Sequence, residues 1–248
     1  MRIVVVGAST GLGRCIGIGL AKRGDQLALL ARRKDLLDEA AEEAGRGTLA
    51  ITCDVTDEAS CREAVAEAVR GLGGIDAVVY SAGIGVLRRI EEIDTATWHR
   101  TFDTNVVGAS IFTAAALPAL LESHGMVAYL SSVSASWTAP WPGLGAYTVT
   151  KAALDKLVAA WRAEHPLVGF SQIVVGDCAG GDGPATSHLT DSWDMDLAGE
   201  LFPIWSAKGL LSESLVDIDD MVGVIDSVLR CGASACIPTI TITPRPKA

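Results

Sequence analysis

Arg2-Ile-Val-Val-Val-Gly7-Ala-Ser-Thr-Gly11-Leu-Gly13-Arg14 decides the fold. Residues 3–6 are a continuous β-branched run, the kind that fills a strand buried on both faces. Three glycines follow at once, and a helical segment runs on to Lys22 and is closed by Gly24. Strand, glycine turn and helix in that order suit an anion. The turn lets backbone approach a pyrophosphate, and the helix N-terminus offers free N–H groups and a favourable dipole. The spacing is GxxxGxG rather than GxGxxG, so the dinucleotide fingerprint is met in context and not letter for letter. Gly7, Gly11 and Gly13, with Ser9, Thr10 and Leu12 between them, are read as a cofactor cradle. Gly17 and Gly19 read as helix–sheet packing positions.

Working outward, residues 26–31 form a second apolar strand that ends Ala31-Arg32-Arg33-Lys34. An acid at this strand end would hold a ribose 2′-hydroxyl, whereas arginine suits a 2′-phosphate. No acid stands there, and Asp35 reads as the cap of a helix over 35–44. Arg32 and Arg33 therefore favour NADP(H) over NAD(H). A third strand over 48–55 ends Cys53-Asp54-Val55, where Asp54 can accept from an adenine amino group, and Thr56 and Asp57 should cap the helix over 58–71. The fourth strand, 75–81, runs into Ser81-Ala82-Gly83, small enough for a ligand to lie against backbone.

Residues 94–123 read as one long helical region split by Pro118, with Asn105 in the middle of its apolar surface. A buried Asn costs stability unless paired, so this one is singled out to bind water or to break the local ladder. A fifth strand over 126–130 leads through Ser131-Ser132 and a Pro/Gly-rich turn into a helix over 145–164. Tyr147 and Lys151 stand four residues apart there, on one face. A sixth strand (170–175), a loose Gly/Asp segment, an acidic Trp-containing stretch to 214, a helix over 217–230 and a strand over 236–243 complete the chain. Alternating strands and helices specify α/β architecture, a doubly wound parallel sheet whose ligands sit at the strands' carboxyl ends.

Composition narrows the partners. A length of 248 residues fits one large α/β domain, expected over 1–248 with a substrate lid near 178–214. The formal net charge of −10 and scattered Lys and Arg make nucleic acid and anionic membrane poor partners. No apolar run reads as a membrane span, and a strand starting at Arg2 leaves no room for a signal peptide. Six cysteines without CxxC spacing read as reduced thiols, and four histidines make no metal-ligand pattern. A cytoplasmic, metal-free protein is expected.

Taken in order, Gly7-xxx-Gly11-x-Gly13, Asp54-Val55, Ser81-Ala82-Gly83, Asn105, Ser131-Ser132 and Tyr147-xxx-Lys151 make residues 1–175 resemble the classical short-chain dehydrogenase/reductase family. The resemblance implies a Rossmann-type sheet of about seven strands and NAD(P)-dependent carbonyl/alcohol interconversion. It implies Tyr147 as general acid/base, Lys151 as its helper and ribose contact, Ser132 as carbonyl binder and Asn105 as anchor of a water relay. It also implies a homodimer or homotetramer pairing the helices that carry Asn105 and Tyr147. The chemistry agrees. A phenol with pKa near ~10 is a poor base unless positive charge stabilises the phenolate.

The sequence departs from the family at three points. Ser81 stands where the family has Asn, and Gly176-Asp177 where it has Pro-Gly. The Ser132–Tyr147 spacing is two residues longer than the family's common one, which taken literally selects Ser134; Ser132 is preferred because it directly follows the strand. The expected function is an NADP(H)-preferring oxidoreductase, with a catalytically silent dinucleotide sensor or scaffold as the alternative. Trp137, Trp141, Trp193 and Trp205 could wall an apolar pocket. Five acids (Asp182, Asp191, Asp194, Asp196, Glu200), with only His188 as a possible cation, would disfavour anions at a lid. The substrate expected is a neutral, hydrophobic carbonyl or alcohol.

Overall fold

The computed structural model describes residues 1–45, 47–181, 183–231 and 234–245. Seven parallel strands form one sheet: β1 (Arg2–Val6), β2 (Gln26–Ala31), β3 (Leu49–Thr52), β4 (Ala77–Tyr80), β5 (Met126–Ser132), β6 (Gly169–Val175) and β7 (Thr239–Ile242). The helices are α1 (Gly11–Lys22), α2 (Lys34–Ala44), α3 (Glu58–Leu72), α4 (Thr95–Phe102), α5 (Gly108–Ser123), α6 (Val133–Ser136), α7 (Gly145–Glu164), α8 (Met195–Ala207) and α9 (Ile218–Leu229). The strand order is β3-β2-β1-β4-β5-β6-β7. The chain reverses direction across the sheet between β1 and β4, which opens a crevice at the strand carboxyl ends.

The strands of the sheet's interior feed two cores. Ile3 and Val5 pack with Ile16 and Leu20 of α1 and with Met221 and Ile225 of α9. Val4 and Val6 face the other way, with Val65 of α3, Phe112 of α5 and Leu154 of α7. This is why the strands read as unbroken apolar runs. Gly17 and Gly19 serve the packing expected of them: a Cβ would lie 2.5 Å from Leu29 Cδ2 and 2.8 Å from Val222 Cγ1, respectively.

Several local expectations are corrected. The region 94–123 is not split at Pro118, which lies inside α5; it loosens into a π-helical turn at Asp103–Val107. The Tyr80 hydroxyl donates to Thr104 O at 3.2 Å, giving that turn's carbonyl a partner. Contrary to expectation, Thr95–Ser123 is long and apolar enough to cross a membrane by length and composition alone, an 18-residue stretch of it having a mean hydropathy of 1.6. Its buried face, including Asn105, Phe112 and Leu120, packs within the fold. Asp35 does not cap α2, which starts one residue earlier behind Arg33. Asp57 caps α3, while the neighbouring Thr56 bonds Asp54 instead. The acidic stretch before 214 contains an unforeseen helix, α8.

Candidate active site

A cavity of about 750 Å³ runs along the carboxyl ends of the strands. At one end, Gly7 has φ +83° and a Cβ there would fall 2.6 Å from Ala82 N. A Cβ on Gly13 would meet Gly7 O at 2.2 Å. The β1 turn, the start of α1 and the end of β4 are thus in backbone contact, and only glycine permits it. Gly13 supports the turn from behind, while Gly11 and Leu12 face the cavity. Thr10 occupies the N-cap position of α1 without a side-chain capping bond, so the first-turn N–H groups stay open to an anion.

The hydroxyl of Thr10 accepts instead from Arg33 Nη2 at 2.7 Å, and Ser9 Oγ accepts from the same nitrogen at 3.2 Å. Arg33 is thereby pinned across the glycine turn, with Arg32 beside it at the cavity wall. Asp54 Oδ1 accepts from Thr56 N at 3.0 Å and Thr56 Oγ1 at 2.8 Å. Burial pushes the Asp54 carboxyl up, but the Thr56 bonds and the Arg32 charge together hold it below the usual range. Val55, Ser81, Ala82 and Gly83 complete this wall.

At the middle of the cavity, β5 delivers Ser131 and Ser132 two residues beyond the expected strand end. The Ser132 and Ser134 hydroxyls lie 3.0 Å apart, and Ser134 N donates to Ser132 Oγ at 3.2 Å. Burial raises the Tyr147 pKa, and the neighbouring Ser132 hydroxyl partly offsets that rise. Lys151 Nζ donates to Leu130 O at 2.7 Å and sits 5.8 Å from the Tyr147 ring centroid. Burial lowers the Lys151 pKa to about 8, opposed by Asp155.

Asn105 works from behind the cavity wall. Its Oδ1 accepts from Ile84 N at 2.8 Å, and its Nδ2 donates to Ile84 O at 3.0 Å and Thr150 Oγ1 at 2.9 Å. It ties the loop after β4 to the helix bearing Tyr147. A Cβ on Gly83 would stand 3.3 Å from Asn105 Oδ1 and 3.5 Å from Lys151 Nζ, so Gly83 keeps that space clear.

The far end is apolar: Trp141, Leu144, Leu189, Trp193, Leu211 and Leu215 line it. Behind it lies a satellite core in which Trp205 is buried against Trp141 (centroids 5.5 Å), Trp193 (6.0 Å) and Phe202 (5.1 Å). Trp205 Nε1 donates to Pro142 O at 2.9 Å, which docks the turn before α7 on α8. Of the four tryptophans singled out, Trp141 and Trp193 wall the cavity. Trp205 backs them, and Trp137 points to solvent at 68% exposure. Three of the five acids have local partners: Asp191 pairs with His188, Asp194 caps α8, and Glu200 meets Arg89 at 2.7 Å. Asp182 lies outside the described residues. Gly176 and Asp177 line the cavity, and Asp177 Oδ2 accepts from Ser212 N at 2.7 Å. That loop is therefore tied to the segment that follows α8. Asp155 carries no motif, and its one signal in the sequence is its place four residues beyond Lys151.

A family model described as short chain dehydrogenase matches residues 1–181. The 11-beta-hydroxysteroid dehydrogenase A of Sesamum indicum is 34% identical over 180 residues, 70% of this chain and 51% of that protein. The chain thus spans about half the length of that relative. Among solved structures, an alcohol dehydrogenase from the archaeon Thermococcus sibiricus, complexed with 5-hydroxy-NADP, aligns with TM-score 0.79 and 24% identity, covering 99% of this chain and 98% of that one. The 3-ketoacyl-(acyl-carrier-protein) reductase of Brucella melitensis, complexed with NADH, aligns with TM-score 0.81 and 22% identity, covering 97% and 96%. At these identities the structural likeness speaks for the fold.

Proposed function

The chain belongs to the short-chain dehydrogenase/reductase family, and from that premise we propose that it interconverts a secondary alcohol and a ketone using NADP(H). The observation that carries the proposal is the Ser132–Tyr147–Lys151 cluster in the same cavity as the open glycine turn. The residues fit such a cofactor. The uncapped start of α1 suits its pyrophosphate, Asp54 its adenine, and Arg32 and Arg33 its 2′-phosphate. When bound, NADP(H) supplies or accepts the hydride. Ser132 Oγ holds the substrate oxygen by a hydrogen bond. Tyr147 gives that oxygen a proton in reduction and removes it in oxidation. Lys151, with a pKa of about 8, is mostly protonated at neutral pH and favours the phenolate of a tyrosine whose burial opposes ionisation. Asn105 keeps the Ile84 loop and α7 in register.

The apolar far wall supports a neutral, hydrophobic carbonyl or alcohol as substrate. The exposed Val107 and Leu121 on the α5 side and Val149 on α7 support a homodimer or homotetramer built on these helices. The reduced thiols of Cys53, Cys61 and Cys178 support a cytoplasmic setting. The test is a panel of neutral ketones and alcohols assayed with NADPH and NADH by cofactor absorbance. NADPH-dependent turnover is expected, reduced at least ~100-fold in Tyr147→Phe with cofactor affinity kept. Tighter NADH binding rejects the cofactor preference, and unchanged turnover in Tyr147→Phe rejects the proton role. Cofactor binding without turnover across the panel favours the sensor reading.

A further inference from the structure

Helix α7 continues past Lys151 to Asp155, one turn on and on the same face. Both carboxylate oxygens of Asp155 are shut away from solvent with no hydrogen-bond partner among the described residues, and the Ser131 hydroxyl at the end of β5 is likewise buried and unpartnered among them. Asp155 makes no direct ion pair with Lys151, whose Nζ is engaged by Leu130 O at 2.7 Å. A buried, unpaired carboxylate is costly, and groups kept at such cost concentrate at functional sites. We propose that Asp155 is a positioning residue of this site, a buried carboxylate one turn from Lys151 that serves as counter-charge to its ammonium. The inference rests on the roles given to Tyr147 and Lys151 above.

The surroundings leave Asp155 as the charge that matters. Strand β5 brings Ser131, Ser132, the Leu130 carbonyl and Tyr129, whose hydroxyl is taken up by Thr113, and neither β6 nor α6 has an ionisable side chain. The π-helical turn brings Asn105, its Asp103 being exposed; on α4, His99 and Arg100 are exposed, as is Lys156 on α7 itself. Burial drives the Asp155 carboxyl up, while the nearby Ser131 hydroxyl, short of a closed hydrogen bond, and the Lys151 charge pull it back. Burial in turn lowers Lys151, and Asp155 holds it up. The groups acting on Tyr147 are its burial and Ser132, so Asp155 works through the lysine and not on the phenol directly. Separation is useful here. A contact ion pair would compete for the ammonium's hydrogens, whereas a charge one turn away keeps the lysine protonated and leaves them free.

Lysine labelled with 13C at Cε, with the Lys151 resonance identified by its loss in Lys151→Met, gives the Lys151 titration directly. In Asp155→Asn, shown to be folded by circular dichroism, the midpoint should move below the wild-type value of about 8 by about half a unit or more. The descending limb of the kcat–pH profile for ketone reduction should move with it, and Asp155→Glu should restore both. An unmoved or raised midpoint in Asp155→Asn overturns the proposal. Should that variant not fold, Ser131→Ala replaces it, because loss of the hydroxyl weakens the ionised carboxylate; a smaller shift in the same direction is expected, and no shift overturns the proposal. The titration needs no turnover. A wild type inactive across the carbonyl panel would sink the oxidoreductase reading alone, while the coupling would be judged by the resonance.

Discussion

The cofactor end of the cavity is walled by backbone, with Gly13 so near Gly7 that a Cβ would come within 2.2 Å of its carbonyl oxygen, whereas the substrate end is walled by side chains, Trp141 and Trp193 resting on Trp205. The first wall hangs from strands buried on both faces by two large cores. The second is backed by a satellite core of six buried residues drawn from three separate stretches of chain, too small to be as rigid. A wall of backbone accepts little change but fixes a shared ligand. A wall of side chains can be rebuilt for a different substrate without disturbing the sheet.

Three substitutions test that contrast, taken from the largest expected effect down. Gly13→Ala forces a methyl against Gly7 O, and cofactor affinity measured by fluorescence titration should fall at least ~100-fold; wild-type affinity would show that this wall can give. Trp205→Ala removes a buried ring worth ~3–5 kcal/mol in a well-packed core. Substrate KM should rise about ten-fold while cofactor Kd holds, and hydrogen exchange should quicken over 195–207 ahead of the sheet. Exchange quickening everywhere together would merge the two regions into one cooperative unit. Arg33→Ala removes a charged contact from the turn, so NADPH should bind about ten-fold more weakly with NADH unchanged. Equal loss for both cofactors would make Arg33 a brace for Ser9 and Thr10 and not a reader of the 2′-phosphate.

The same contrast explains what the sequence disclosed. Backbone walls demand particular residues at particular places: glycines at 7 and 13 because nothing larger fits, β-branched runs because strands are covered twice. The sheet and the glycine turn could therefore be read from letters and their order. The apolar end of the cavity made no such demand. Trp205 and Leu201 sit in a stretch whose acids suggested a loop, and they find Trp141 only once the chain is folded. Pro118 drew attention as a helix breaker and leaves α5 intact, while Asn105, singled out as able to break the local ladder, lies in the π-helical turn; its amide is spent on Ile84 and Thr150, whose segments are distant in sequence. Asp155 carried no motif because its relation to Lys151 is electrostatic and appears only when both are buried.

The burial of Lys151 also weighs on how firmly the chain is folded. Its ordinary pKa of 10.5 falls to about 8 in the native state. Between those values the unfolded chain binds the proton and the native chain does not, so this group makes stability rise with pH across that window. Below about 8 both states hold the proton and the full penalty stands, on the order of 3 kcal/mol. Domains of this kind are stable by roughly 5–15 kcal/mol. One ammonium thus accounts for a sizeable part of the margin, and the native state is at its most strained, as far as this lysine is concerned, at the neutral pH where its charge is most useful.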